Sequence, residues 1–223
     1  MKKNSFNIQL LRKELLLSTS PLTVFFLLFT GVTVVPRFPI LTAPLFVCVG
    51  IFYTFYGQRD TGDLAFTVLL PVPKRDTVRA KFLFTIFMEF LGFVLQLILT
   101  LARLGGLDQS AMFADNPMMP AGVIDLALSI LIYAAFILLF LPGFFKKGRA
   151  GSESFFPFFL VGIALMAAGE GLYRVPRLKN LWSTDFASVV PQCAICAVCV
   201  VAYLAALRYA YRKSILLFEQ VEL

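Results

Sequence analysis

The sequence predicts an all-α polytopic membrane protein with six transmembrane helices, an N-terminal interfacial helix and a short cytoplasmic helix between spans 2 and 3. Three observations carry that expectation. First, 59% of the 223 residues are hydrophobic and only 15% are charged, where soluble chains average about 25% charged. Second, the apolar residues fall into runs of spanning length. Six spans of about 20 residues use roughly 120 positions, which leaves short loops and no room for a soluble enzymatic domain. Third, the basic residues are unevenly distributed. With the N-terminus inside, inner segments hold 15 of the 20 Lys and Arg, against five outside: Arg37, Arg103, Arg174, Arg177 and Lys179. That asymmetry puts both termini in the cytoplasm and makes the number of spans even.

In chain order, residues 4–17 read as a helix lying on the membrane surface. Phe6, Leu10 and Leu17 share one arc and Ile8, Leu11 and Leu15 another, a pattern suited to contact with both lipid and protein. Lys2, Lys3, Arg12 and Lys13 precede an apolar run long enough to span, with no small-residue cleavage site, so no cleavable signal peptide is expected. Ser20-Pro21 opens the first span, about 20–35, with proline in the first turn. Pro36-Arg37-Phe38-Pro39 makes a tight outer turn into the second span, about 40–56. The third helix, 77–103, is roughly 40 Å long at 1.5 Å per residue, so its first turns project from the membrane. Asp76 is placed as its N-cap. The fourth, fifth and sixth spans are about 122–140, 155–170 and 186–209. The segment 171–185 between the last two carries Tyr173, Pro176 and Trp182 and suits the interface. The whole of 1–223 reads as a single transmembrane domain.

The stretch 58–81 departs from this apolar background. On a helix, Asp60, Asp63 and Thr67 form one narrow polar stripe, while Leu64, Ala65, Phe66, Val68, Leu69 and Leu70 cover the rest. That is too much apolar surface for water and too many carboxylates for hydrocarbon, and it fits a helix wedged between membrane and docked protein. Pro71 and Pro73 end it. A solvated loop made basic by topology alone is the plainer alternative.

In its order of features this stretch resembles the first cytoplasmic loop of type-2 ATP-binding-cassette (ABC) exporter permeases, the small six-span bacterial kind. The matching residues are Asp60, Asp63, Leu70-Pro71-Val72, Lys74-Arg75, Val78 and Lys81. Pro73 stands where that family more often has Ser or Thr. A weaker match is the proline-marked basic stretch LPGFFKKGR at 141–149. The resemblance implies that 58–76 is a coupling loop resting in a groove of a separate ATPase subunit. Asp60, Asp63, Leu64, Phe66 and Leu70 would dock, and Pro71, Lys74 and Arg75 would fix the angle. It further implies two permease halves, as homodimer or heterodimer, above two cytosolic ATPases in the bacterial cytoplasmic membrane. The cargo would be hydrophobic or amphipathic, with small peptides as the analogy. The competing function is a non-transporting membrane scaffold that receives a cytosolic partner.

The chain has no Gly-x-x-x-x-Gly-Lys-Ser/Thr, so ATP and Mg are expected on the partner, and this chain is expected to bind no cofactor. Histidine is absent, which removes the usual general base and most zinc sites. No nucleophile–base pair is legible, so enzymatic activity is not expected of the chain itself. The basic residues flank apolar runs and point to lipid rather than nucleic acid. Cys193, Cys196 and Cys199 recur along the sixth span. A soft-metal site is conceivable, but without a fourth ligand close packing of small residues explains them better. Glu89, about 12 residues into the third helix, is costly in hydrocarbon unless it faces a cavity or a partner. Either it lines a translocation path, continued by Gln96 two turns on, or it reaches the inner headgroups. Asp125 and Glu170 fall near outer span ends and read as interfacial. The 25 phenylalanines read mostly as lipid-facing, with runs such as Phe82-Leu83-Phe84 and 155–159 offering an apolar path as the alternative.

Overall fold

A computed structural model describes residues 10–62, 73–110, 113, 116–147, 152–183 and 186–221. Every element among them is helical. The N-terminal helix, Leu10–Leu16, meets the next helical segment at 75°. Its last turn widens into a π-helix, Glu14–Ser18, and is closed by the Thr19 hydroxyl, which donates to the carbonyls of Glu14 (3.0 Å) and Leu15 (2.8 Å). Leu10 is buried and Leu11 and Leu15 rest on the core, so Leu10 from one apolar arc and Leu11 and Leu15 from the other face the bundle.

Helix α1, Pro21–Leu28, starts as the sequence predicts: Ser20 caps it through the Leu22 N–H and Pro21 occupies the first turn. It tightens into a 3₁₀ helix, Phe29–Val34, over a Gly- and β-branched-rich run. Together they reach about 24 Å, short of the roughly 30 Å hydrocarbon core. The turn that follows places Arg37 at φ 65°. Helix α2, Thr42–Asp60, packs back against α1. Where they meet, a Cβ on Gly50 would lie 3.0 Å from the Phe26 Cβ and 3.2 Å from the Thr23 backbone; the glycine sets how close the helices come. Gly62, at φ 63°, supplies the left-handed conformation just past the end of α2.

Helix α3, Lys74–Leu104, begins three residues before the predicted start. Pro73 is its N-cap, and Asp76, expected there, sits instead in the first turn, where its charge complements the helix dipole. Helix α4, Val123–Lys147, runs unbroken through Pro142. Its neighbours Phe140, Leu141, Phe144 and Phe145 are all buried, and this packing holds the turn that proline weakens. Helix α5 is Ser152–Tyr173, and helix α6 is Phe186–Glu219. A 3₁₀ turn, Lys179–Trp182, links them.

Helix α4 is the hub, lying against α6 along much of its length and against α5, α3 and α2. Among the described residues four helices, α3 to α6, are long and apolar enough to cross a membrane, or five if the bent N-terminal pair counts as one span. Helix α2 falls short because its last turn carries Gln58, Arg59 and Asp60. Many phenylalanines are not lipid-facing, contrary to expectation. Phe55, Phe84, Phe136, Phe140, Phe144, Phe145, Phe158 and Phe218 are fully buried. Their rings interlock, edge-to-face for Phe55–Phe144 (4.9 Å) and Phe136–Phe158 (5.0 Å). Aromatic pairs of that geometry add about 1 kcal/mol each beyond burial. In the 155–159 run, Phe158 points inward while Phe156 and Phe159 stay exposed.

Candidate functional site

The two roots of the charged loop are fastened together. Gln58, in the last turn of α2, and Lys81, in the second turn of α3, converge on Glu14 of the N-terminal helix. The Lys81 ammonium donates to both Glu14 carboxylate oxygens (2.8 and 3.0 Å) and to the Gln58 side-chain oxygen. Gln58 Nε2 donates to Glu14 Oε2 at 2.9 Å. Lys81 also lies 5.6 Å from the Phe55 ring centroid. All three polar residues are at most 5% exposed. Buried charges survive only when paired and hydrogen-bonded, and each group here satisfies the others. A second tie lies beside the first: Lys74 donates to the Val221 carbonyl (2.7 Å) and sits over the Phe218 ring. The N-terminal helix, both roots of the loop and the C-terminal segment therefore share one end of the bundle.

Of the predicted docking residues, Asp60 ends α2, Lys74 opens α3 and Arg75 is exposed beside it. Asp63, Leu64, Phe66, Leu70 and Pro71 lie outside the described residues. Glu14 was missed by sequence reasoning. Its only signal was a lone acid among Arg12, Lys13 and an apolar run.

Glu89 is at the midpoint of α3 and 2% exposed. Tyr203 of α6 donates to its Oε2 at 2.8 Å, while its Oε1 has no hydrogen-bond partner among the described residues. The Tyr133 hydroxyl of α4, also buried, likewise has none. Gly92, one turn beyond Glu89, makes room for it: a Cβ there would lie 2.9 Å from the Tyr133 oxygen and 2.7 Å from Val47. Gln96 turns instead to α4, donating to Ser129 Oγ at 2.8 Å. Glu89 and Gln96 share the buried side of α3 but hold different partners. Asp125 is not interfacial as expected; it is fully buried, accepting from the Gly122 N–H (2.7 Å) and the Thr100 hydroxyl (3.2 Å). Close packing of α3 on α4 leaves that carboxylate no route to water. Glu170 is partly buried and accepts from the Met119 N–H at 3.0 Å.

At the end opposite the loop, Arg103 is 2% exposed rather than a free outer charge. It donates to Asp108 (2.8 Å) and to the Thr33 carbonyl (3.1 Å) and stacks on Phe113. On α6, Cys193 is exposed, Cys196 half-buried and Cys199 buried, all free thiols.

The described site is therefore polar in character: a hydrogen-bonded cluster at the roots of the loop at one end, and buried polar side chains of α3 and α4 within. No curated protein and no solved structure matches the chain. A family model does, over residues 3–219, and its description is ABC-2 family transporter protein. With the match covering nearly the whole sequence, the chain belongs to the ABC-2 transporter family and is a multi-pass permease component of an ABC transporter.

Proposed function

We propose that the chain is one permease half of an ATP-driven exporter, with six spans in a single domain. Helices α1 and α2 form the first, short pair of spans. The loop end faces the cytoplasm of a bacterial cell, in keeping with the basic residues gathered there. Two such halves, identical or different, pack side by side above two ABC ATPase subunits that hold ATP and Mg. The loop 58–76 is the coupling element. Asp60, Asp63, Leu64, Phe66 and Leu70 dock in the ATPase, and Pro71, Lys74 and Arg75 set the angle. Glu89 and Gln96 border the route of a hydrophobic or amphipathic cargo, small peptides included.

One observation carries this reading: Glu14, Gln58 and Lys81 bind both roots of the loop to the N-terminal helix. A loop free at its roots absorbs a push by bending. One pinned at both roots passes the displacement on to α2, α3 and the N-terminal helix together. The test is co-purification with the cognate ATPase, comparing wild type with Asp63→Lys plus Phe66→Asp. Wild type retains the ATPase and supports vanadate-sensitive hydrolysis in lipid, and the folded double variant loses both. An unchanged double variant refutes the docking assignment. Failure of wild type to hold any ATPase favours a non-transporting scaffold.

A further inference from the structure

Helices α3 and α6 run antiparallel, with Lys74 against Val221 and Glu89 against Tyr203. Between them, at the loop end, lies an open groove of about 430 Å³. Each helix gives it one arginine, Arg79 from α3 and Arg208 from α6, both exposed. From each arginine the wall turns apolar towards the middle of the bundle. Leu83 and Ile86 follow Arg79 one and two turns along α3, and Leu207 and Leu204 precede Arg208 on α6. The floor is closed by the buried Phe82, edge-to-face with Tyr211 at 5.3 Å. Arg79 lies roughly 38 Å from the far end of α3 and Arg208 roughly 33 Å from that of α6, so both fall just outside a hydrocarbon core of about 30 Å. Neither arginine has an ion-pair or hydrogen-bond partner among the described residues, although Asp76 stands one turn before Arg79.

We infer that this groove binds one anionic phospholipid, whose phosphodiester sits between Arg79 and Arg208 and whose acyl chain starts along Leu83, Ile86, Leu204 and Leu207. The order of charge and hydrocarbon along the groove is the order along a lipid molecule. Guanidinium groups match phosphate oxygens in geometry as well as charge. Two cations without an acidic partner favour a headgroup such as phosphatidylglycerol, because phosphatidylcholine brings a cation of its own. A soluble phosphate would leave the apolar wall uncovered. A second copy of the chain docked here across a two-fold axis would set the arginine pairs against each other. The inference rests on α3 and α6 crossing the membrane and on nothing about the ATPase.

The test uses the full chain in phosphatidylcholine nanodiscs, without ATPase. A trace of phosphatidylglycerol or phosphatidylcholine, each with a photoreactive group high on one acyl chain, is added and illuminated, and labelled peptides are mapped by mass spectrometry. In wild type the phosphatidylglycerol probe labels 79–86 and 204–211 at least about tenfold more than the phosphatidylcholine probe, since each basic residue near an anionic lipid contributes about fivefold. Arg79→Gln and Arg208→Gln each lower that preference several-fold, and together they abolish it. Both positions are exposed, so these variants keep the fold. Lys146→Gln removes one charge from an exposed site at the same end, outside the groove, and leaves the preference unchanged. Excess glycerol 3-phosphate does not displace the lipid. Equal labelling by the two probes, a preference that survives the double variant or falls equally in Lys146→Gln, or displacement by glycerol 3-phosphate overturns the inference. None of these results bears on whether the loop docks an ATPase, so the two readings fail separately.

Discussion

Replacing Lys81 with methionine removes the centre of the fastening at the loop roots while keeping a similar side-chain volume. The lysine makes two hydrogen bonds to Glu14 at 2.8 and 3.0 Å and one to Gln58, and is 1% exposed. Without it the Glu14 carboxylate, 2% exposed, keeps Gln58 Nε2 at 2.9 Å and the partly exposed Lys13 at 3.8 Å. Removing one partner of a buried pair costs about 3–5 kcal/mol; with Lys13 offsetting part, the expected loss is about 3 kcal/mol. Glu14→Gln leaves the ammonium two amide oxygens and costs less, about 2 kcal/mol. The double variant buries no charge there and is expected to lose only about 2 kcal/mol, well under the sum of the singles. Unfolding of each variant from mild detergent into SDS micelles, followed by circular dichroism, gives the four free energies. A coupling of about 3 kcal/mol is expected; additivity within about 0.5 kcal/mol refutes the claim that these residues act as a buried unit.

Three further outcomes concern single positions. Gly50→Val places carbon against the Thr23 backbone and threatens the 2.6 Å bond from the Thr23 hydroxyl to the Gly50 carbonyl, costing about 2 kcal/mol. By contrast, Gly31→Ala, which meets nothing within 4 Å, changes stability by less than about 0.5 kcal/mol in the same SDS titration. Arg103→Met strands the Thr33 carbonyl and releases Asp108, a loss of about 1–3 kcal/mol. It should speed protease cleavage in 105–122, measured by gel in vesicles that expose that side.

Local signals in the sequence carried local structure. Ser20-Pro21 opens α1, and the described apolar runs are helical; but the single helix expected to carry Asp60 and Asp63 together is interrupted, because α2 ends at Asp60 and Gly62 turns left-handed. What failed was anything that needed direction. In a membrane chain both lipid and protein interior are apolar, so hydropathy cannot tell Phe140, fully buried, from Phe156, 58% exposed. Asp125 looked interfacial because it lies near a helix end, yet α3 covers it with Thr100. The fourth span was expected to end at about 140, just before Pro142, but neighbouring packing carries the helix through the proline to Lys147. The pairing of Glu14 with Lys81 spans 67 positions, and no local pattern announces such a contact. Lys81 was noticed only through its place in a family-like order, and Glu14 not at all. Glu89 stood out because a charge amid apolar residues is costly wherever it points, but the sequence left open whether it reached the headgroups; the fold buries it. Its partner Tyr203, 114 positions away, was beyond reach.

The central claim is that the loop 58–76 is where this permease meets its ATPase. The most direct measurement places a photo-crosslinking amino acid at Phe66 in the full chain, in native membranes, with Phe156 as a lipid-side control. Cross-linked products are then identified by mass spectrometry with and without ATP plus vanadate. The account predicts that position 66 captures a P-loop ATPase, with a yield that changes when ATP and vanadate are added, and that position 156 captures none. Capture of lipid alone at position 66, or an ATPase yield no greater there than at position 156, would contradict it.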